Sequence, residues 1–410
     1  MKKTTLFIVL ASIIFITGCQ QPIYEAIRED VAPEEATVSG DITNITRYKI
    51  GSEEYLFLAA DGGLRYKRAD NATHGSWSKF PVPFSLNQYD YDGSTYSGEQ
   101  ILTVLANSDY LYLITAKNAH TEIEGYTYPA NIKLWGAKIT STTAKTDWTL
   151  VTENNTVLFP IAETEVSSST TYYESKFRVF QTNAPQQAHR HAFVRSYNST
   201  DKKWHYYELT GLDEFDESTM PAEYTISGII DPSPSSAEDY VPVATSVVYF
   251  NGGLKFFTST VAATNETYDA DADLYFYSDS NTLYYNDSDD TTTSRSLEGK
   301  TTIYSLATTA DSIIIGYGYP GSNTSTPKSG GIGRAVYNAD GNLEITTFDN
   351  NATFQITSSY IVLALINATP DKTESESNLY AAITFYGTGS GFSNIGLWSY
   401  YPSRGNWNRE

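Results

Sequence analysis

The chain of 410 residues holds a single cysteine, Cys19. No disulfide can close within it, so its stability must come from packing rather than from cross-links. Basic charge is scarce: 27 Lys and Arg stand against 48 Asp and Glu, a formal net charge of −21. A nucleic-acid partner is excluded on that balance, because phosphate recognition needs a basic footprint. Helical periodicity is nearly absent, with residues 23–28 the one weak candidate. The long apolar run is Leu6–Ile16, well short of the ~20 residues that span a bilayer. Phosphate-loop chemistry is missing too. No glycine precedes Lys328 and no helical pattern follows it, so Gly316–Gly321 and Lys328–Gly331 read as turn glycines. There is no Gly-x-Ser-x-Gly elbow, and no motif sets a pair of acids.

Aromatic residues are abundant, at 14% with 33 Tyr. Tyr and Thr favour strands, while Asn, Gly and Ser favour turns. The composition is that of a secreted all-β protein.

The first residues carry Lys2 and Lys3, then the apolar run, then Ile16-Thr17-Gly18-Cys19. A charged start, a short greasy stretch and small residues before a cleavage point make an export signal. Ile16–Cys19 resembles the lipobox of bacterial lipoproteins. In that family the cysteine becomes the first mature residue and carries acyl groups. The resemblance implies a signal peptide over 1–18, lipid attachment at Cys19 and a membrane partner through that lipid, outside the cytoplasm. Gln20 is compatible with outer-membrane sorting where bacteria use an aspartate retention rule. Residues 19–42 are polar, acidic and hold two prolines, which reads as a flexible tether.

From residue 43 to 410 the strand candidates come in groups of four. The first group is NITRYKI, EEYLFLAA, GLRYKR and SWSKF; the last is YIVLALI, NLYAAITFYG, IGLWSYY and NWNRE. First strands begin near 44, 101, 156, 243, 302 and 360, with one extra stretch of about 30 residues in the third group. Second strands such as Tyr55–Ala60 and Ser312–Gly316 are continuously apolar, which means cover on both faces rather than a sheet wet on one side. The pattern predicts a six-bladed β-propeller of four-stranded antiparallel blades, near 44–100, 101–155, 156–242, 243–301, 302–359 and 360–410. A seven-bladed propeller, a pair of β-sandwiches or a β-helix are the alternatives. A Tyr followed by the Trp that opens the next strand recurs at Tyr197/Trp204 and Tyr401/Trp407, and at longer spacing at Tyr66/Trp77. This hairpin resembles kelch-type and related bacterial propeller repeats, and the resemblance implies architecture without a substrate.

In such a blade the connections after the second and fourth strands share a face. That face is assigned residues 81–100, 116–130, 182–189, 211–242, 260–271 and 319–330, which hold sixteen acids against Lys117 and Lys328. Asp90, Tyr91, Asp92, Tyr126, Asp213 and Asp216 are its candidate ligand-binding residues, for a cationic, glycan or protein partner. Asp269, Asp271 and Asp273 have the odd spacing that opens a calcium loop but lack its central glycine and closing glutamate; otherwise no cofactor is expected. His189 and His191, with His205 on the next strand, are a weaker metal candidate. The functional expectation is binding or adhesion at the cell envelope. A glycan-acting hydrolase with carboxylates at the channel mouth and a structural part of an envelope assembly are the rivals.

Overall fold

In a computed structural model the chain is all-β, with small antiparallel sheets in a β-propeller arrangement. The structure describes residue 38 and residues 42–84, 99–119, 128–226, 240–262, 275–283, 302–318, 330–347, 360–385 and 396–410, less short gaps within them. The first sheet is β1 (Ile45–Ile50), β2 (Glu53–Ala60), β3 (Gly63–Arg68) and β4 (Ser78–Phe80). The second is β5 (Gln100–Ala106), β6 (Leu111–Ala119), β7 (Tyr128–Ala137) and β8 (Thr149–Glu153). A two-stranded hairpin, β9 (Ile161–Ser167) and β10 (Thr170–Ser175), then precedes a three-stranded sheet of β11 (Phe177–Gln181), β12 (Ala192–Asn198) and β13 (Lys203–Glu208). Three more four-stranded sheets follow: β14 (Tyr240–Phe250), β15 (Gly253–Ala262), β16 (Tyr275–Ser278) and β17 (Thr282–Leu283); β18 (Thr302–Thr308), β19 (Ile313–Gly318), β20 (Gly330–Tyr337) and β21 (Leu343–Thr347); and β22 (Tyr360–Asn367), β23 (Leu379–Phe385), β24 (Gly396–Tyr401) and β25 (Asn406–Arg409).

Five four-stranded sheets are therefore present among the described residues, where six were expected. The difference lies in the third group. Its expected first strand, TVLFPIA, is a compact turn up to Pro160, and only Ile161 and Ala162 enter a strand, β9. The side chain of Asn155 accepts from the amides of Val157 and Leu158 at 3.0 Å each, and the Phe159 amide donates to the Asn155 carbonyl at 2.9 Å. Asn154 takes a left-handed backbone (φ 54°), which Asn tolerates better than most side chains. The apolar side chains Leu158 and Phe159 are buried all the same, by packing into a core rather than by pairing in a ladder. The frame moves by one strand, so FRVFQ is a first strand and residues 182–191 connect a first strand to a second.

The second strands behave as their composition requires. Leu56, Phe57, Leu58 and likewise Ile313, Ile314 and Ile315 are all fully buried, the sign of strands covered on both faces. The cover is the neighbouring sheet. Leu56 and Leu58 pack with Ala382 and Leu397 of the last sheet, and Phe57 packs with Val104 and Leu113 of the second. Ile114 meets Val194; Phe193 meets Phe256; Phe257 meets Ile313; Ile314 meets Ala381. Each sheet of three or four strands is thus clamped between two others, and the first sheet packs against the last. No strand is shared between sheets. The contact between first and last sheets is locked by Lys67 and Glu410, whose side chains meet at 3.2 Å with no exposure. The Val38 amide also donates to the Glu410 carbonyl at 3.1 Å.

Successive connections alternate between two rims. The upper rim carries second-to-third connections and the passage to the next sheet; the lower rim carries first-to-second turns such as Gly51-Ser52 and Asn251-Gly252. Both residues of the latter have positive φ, 49° and 80°, as a twisted two-residue hairpin requires. Near the axis Gln181 ties three first strands together. Its side-chain oxygen accepts from the Thr46 hydroxyl and the Ala106 amide, and its nitrogen donates to the Ile45 carbonyl.

Candidate functional site

The shortened third sheet leaves a cleft of about 480 Å³ on the upper rim, between the second and third sheets. One wall is the Asn154–Pro160 turn and the other is the β12–β13 hairpin. Ile132, Val157 and Phe159 give it an apolar floor; Asn198, His205 and Tyr207 bring amide, imidazole and phenol groups to it. Its size lies within the usual range for small-molecule sites.

The hairpin wall is stiff for a reason that starts in the sequence. Tyr197 and Trp204 are register partners across β12 and β13, with ring centroids 5.2 Å apart. The fully buried Arg195 lays its guanidinium 4.4 Å from the Trp204 ring centre and donates to the Ala244 carbonyl in the next sheet. The cation is held against the π-face of the indole. Beneath the floor, the Ser196 hydroxyl donates to the Leu158 carbonyl at 2.6 Å. Lys202 adopts the left-handed conformation (φ 59°) that closes the turn, and Asn198 accepts from the Thr200 amide.

His205 is held on both nitrogens. Asp201 lies 2.8 Å from Nε2 and Glu223 3.0 Å from Nδ1. Glu223 comes from the segment after β13, which makes one isolated antiparallel bridge, Tyr207↔Glu223, where a fourth strand would run. The Tyr197 phenol is raised above its ordinary pKa by burial and then by Asp201; that of Tyr207 is raised by burial, then by Glu223 and Asp201. Both remain hydroxyl donors at neutral pH. Tyr207, Asn198 and His205 thus edge the apolar floor with hydrogen-bonding groups, while Tyr197 turns to the other face with Trp204 and Arg195; such a surface suits a ligand with apolar faces and hydroxylated edges.

Of the residues singled out in the sequence, Asp213 is described. It is exposed, on a stretch that leaves β13 and reaches the second sheet, where the Phe215 amide donates to the Val151 carbonyl. Cys19, Asp90, Tyr91, Asp92, Tyr126, Asp216, Asp269, Asp271 and Asp273 lie outside the described residues. Glu99, counted among the acids of the loop face, is buried and bound to Lys133 at 2.8 Å and to the Thr115 hydroxyl at 3.0 Å. The histidines do not converge. His189 closes a short 3-10 turn and stacks on Tyr249 at 3.8 Å, while His191 pairs with Glu208 at 2.6 Å. Among the described residues no group of three or more His, Cys, Asp or Glu is placed to hold a metal ion, and no helix is long and apolar enough to cross a membrane.

Sequence reasoning missed this cleft because it read TVLFPIA as a strand. The signal was available in Asn154-Asn155 and Pro160, which bracket a short apolar run with turn residues.

No family model matches the chain, and no curated protein does. Among solved structures, it is similar to the phage phi92 endosialidase at 10% identity and a TM-score of 0.41, over 85% of this chain and 62% of that one, so it spans less than two thirds of that protein's length. A GH74 enzyme of Niastella koreensis is similar at 11% identity and a TM-score of 0.43, over 90% of this chain and 53% of that one. A glucose dehydrogenase is similar at 10% identity and a TM-score of 0.38, over 86% of this chain and 95% of that one. Likenesses this distant do not carry the activities of those proteins to this chain.

Proposed function

We propose that this chain is a lipid-anchored protein of the cell envelope whose propeller binds a glycan in the upper-rim cleft. The observation that supports it is the lining: Tyr207, Asn198 and His205 edge an apolar floor on a wall backed on its other face by the Arg195–Trp204 stack. Sugar rings present apolar faces and hydroxyl edges, and such a surface meets both. We take the ring to have six blades, with the three-stranded sheet third and its outer strand reduced to the Tyr207↔Glu223 bridge. The acidic connections that the repeat assigns to the same rim, with Asp90, Tyr91, Asp92, Tyr126 and Asp216, would extend the surface for a larger ligand. The anchor is the acylated Cys19.

Binding of neutral oligosaccharides by purified protein, measured by calorimetry over a glycan panel, tests the reading. Tyr207→Ala and Asn198→Ala should each weaken affinity about tenfold, the loss of one good hydrogen bond with its packing. A wild-type protein that binds no glycan in the panel would sink it. The anchor has its own test: Cys19→Ser should move the protein from the membrane fraction to the soluble one.

Glycan hydrolysis is the second reading, favoured by Asp201 and Glu223 standing on opposite sides of His205 beside the same cleft. Release of products by wild type, lost in Glu223→Gln, would select it over binding alone.

A further inference from the structure

A second cavity, of about 390 Å³, opens on the lower rim where the first and last sheets meet. Its lining includes Arg47 of β1, Pro185 of the β11–β12 connection, and Thr369 and Asp371 of the β22–β23 connection. Arg47 is out of place for its position in the repeat. Val104, Val247, Leu306 and Leu365 occupy the equivalent place on the other four-stranded sheets, each packed in the core shared with the preceding sheet. Arg47 points the same way. It is 3% exposed, donates through Nη2 to the Asn367 carbonyl at the end of β22, and finds no acceptor for Nε. A guanidinium in an aliphatic position carries a large desolvation cost, and burial pulls its pKa down to about 10.

Arg190, from the β11–β12 connection, stands close enough to oppose the charge of Arg47. Its side chain is 1% exposed. Nε donates to the Ala184 carbonyl, Nη2 to Glu54 and the Pro185 carbonyl, and Nη1 has no acceptor. By contrast, Arg68 on the same cavity is taken by Glu53 at 3.0 Å and Asp70 at 2.7 Å.

We propose that Arg47, supported by Arg190, forms a lower-rim site for the carboxylate of a small acidic ligand. A planar carboxylate matches the in-plane N–H groups of a guanidinium. The cavity also carries Arg68 and Lys372 and, against them, Glu53, Glu54, Asp70 and Asp371; Glu54 and Asp371 act electrostatically on Arg47, so a single negative charge is accommodated where a dianionic phosphate is repelled. The site is separate from the upper-rim cleft and does not depend on the glycan reading.

Glucuronate is the probe, with glucose as its uncharged counterpart and inorganic phosphate as the competing anion, read by calorimetry and by thermal unfolding. Wild type should bind glucuronate and unfold roughly 2 °C higher at ten times its Kd; glucose should do neither. Arg47→Leu restores the residue found at Leu306 and Leu365, so this variant should unfold at or above the wild-type temperature while binding glucuronate at least tenfold more weakly. Arg47→Lys, which keeps the charge but not the fork, should also lose affinity. Tyr207→Ala should respond to glucuronate as wild type does. Absence of binding by wild type, equal binding of glucose, tighter binding of phosphate, unchanged affinity in Arg47→Leu or Arg47→Lys, or loss of the response in Tyr207→Ala would each overturn the assignment.

Discussion

Lys67 and Glu410 form a buried ion pair enclosed by aromatic rings. Lys67 Nζ lies 5.6, 5.0 and 5.8 Å from the ring centres of Trp77, Tyr380 and Tyr401. The Glu410 carboxylate accepts from the Tyr401 hydroxyl at 2.7 Å and from the Trp77 indole at 3.0 Å. Burial alone would raise the pKa of this carboxyl, but Lys67 and its hydroxyl donors outweigh burial and hold it below the ordinary value of 4.5. The unfolded chain then binds the proton more readily than the folded one. The resulting contribution is complete above the ordinary carboxyl value and disappears as pH falls through the lower, folded value. Urea midpoints measured between about pH 6 and pH 3 should fall in wild type, and fall less steeply in Glu410→Gln. Lys67→Met should cost about 3–5 kcal/mol at neutral pH by leaving the carboxylate buried without its cation, and adding Glu410→Gln should recover part of that loss. The repeat sets Tyr401 before Trp407 in sequence; in the sheet Tyr400 is the register partner of Trp407 and Tyr401 opposes Asn406. In a strand one residue of slip reverses the face, and Tyr401 accordingly turns into the Lys67 cluster.

At the scale of elements four of the described first strands share a device that β1 and β11 lack. Register shifts fall between Ile101 and Thr103, Ala244 and Ser246, Ile303 and Ser305, and Val362 and Ala364. A bulge at one place in the repeat bends each of these four inner strands. Glycine sets how closely the sheets approach. A Cβ on Gly318 of β19 would lie 2.6 Å from Ile361 Cγ1 and 2.9 Å from its Cα, and one on Gly316 would collide with Ser305 and Val362. Gly318→Ala should therefore destabilise the protein by about 1–3 kcal/mol through overpacking, seen as a lower denaturant midpoint with an unchanged slope. A variant as stable as wild type would mean that the last two sheets can slide apart. The first-strand starts expected near 44, 101, 302 and 360 are found at Ile45, Gln100, Thr302 and Tyr360. They were legible because continuous apolar runs of strand length recur at a fixed step. The third sheet was not, because a short apolar run is buried equally well in a turn as in a ladder, and Leu158 shows the former. Arg47 was legible in principle: aligned on the repeat, NITRYKI puts a charge where the other four-stranded sheets have Val or Leu. The cleft was legible only through the turn residues Asn154, Asn155 and Pro160 that bracket its apolar run, since it forms where a strand was expected.

Considered as a whole, the molecule joins its first and last sheets through side chains and, among the described residues, one backbone hydrogen bond, from Val38 to Glu410. Each sheet is contiguous in sequence and none borrows a strand from another. The order of the blades is then a cycle, and the position where the chain happens to be cut carries no structural information. A circular permutant that links residue 410 to residue 38 and opens within 284–300 should fold to the same ring with a similar unfolding temperature, because the cut interrupts none of the described ladders. If it proved insoluble, closure would depend on the covalent order of the sheets.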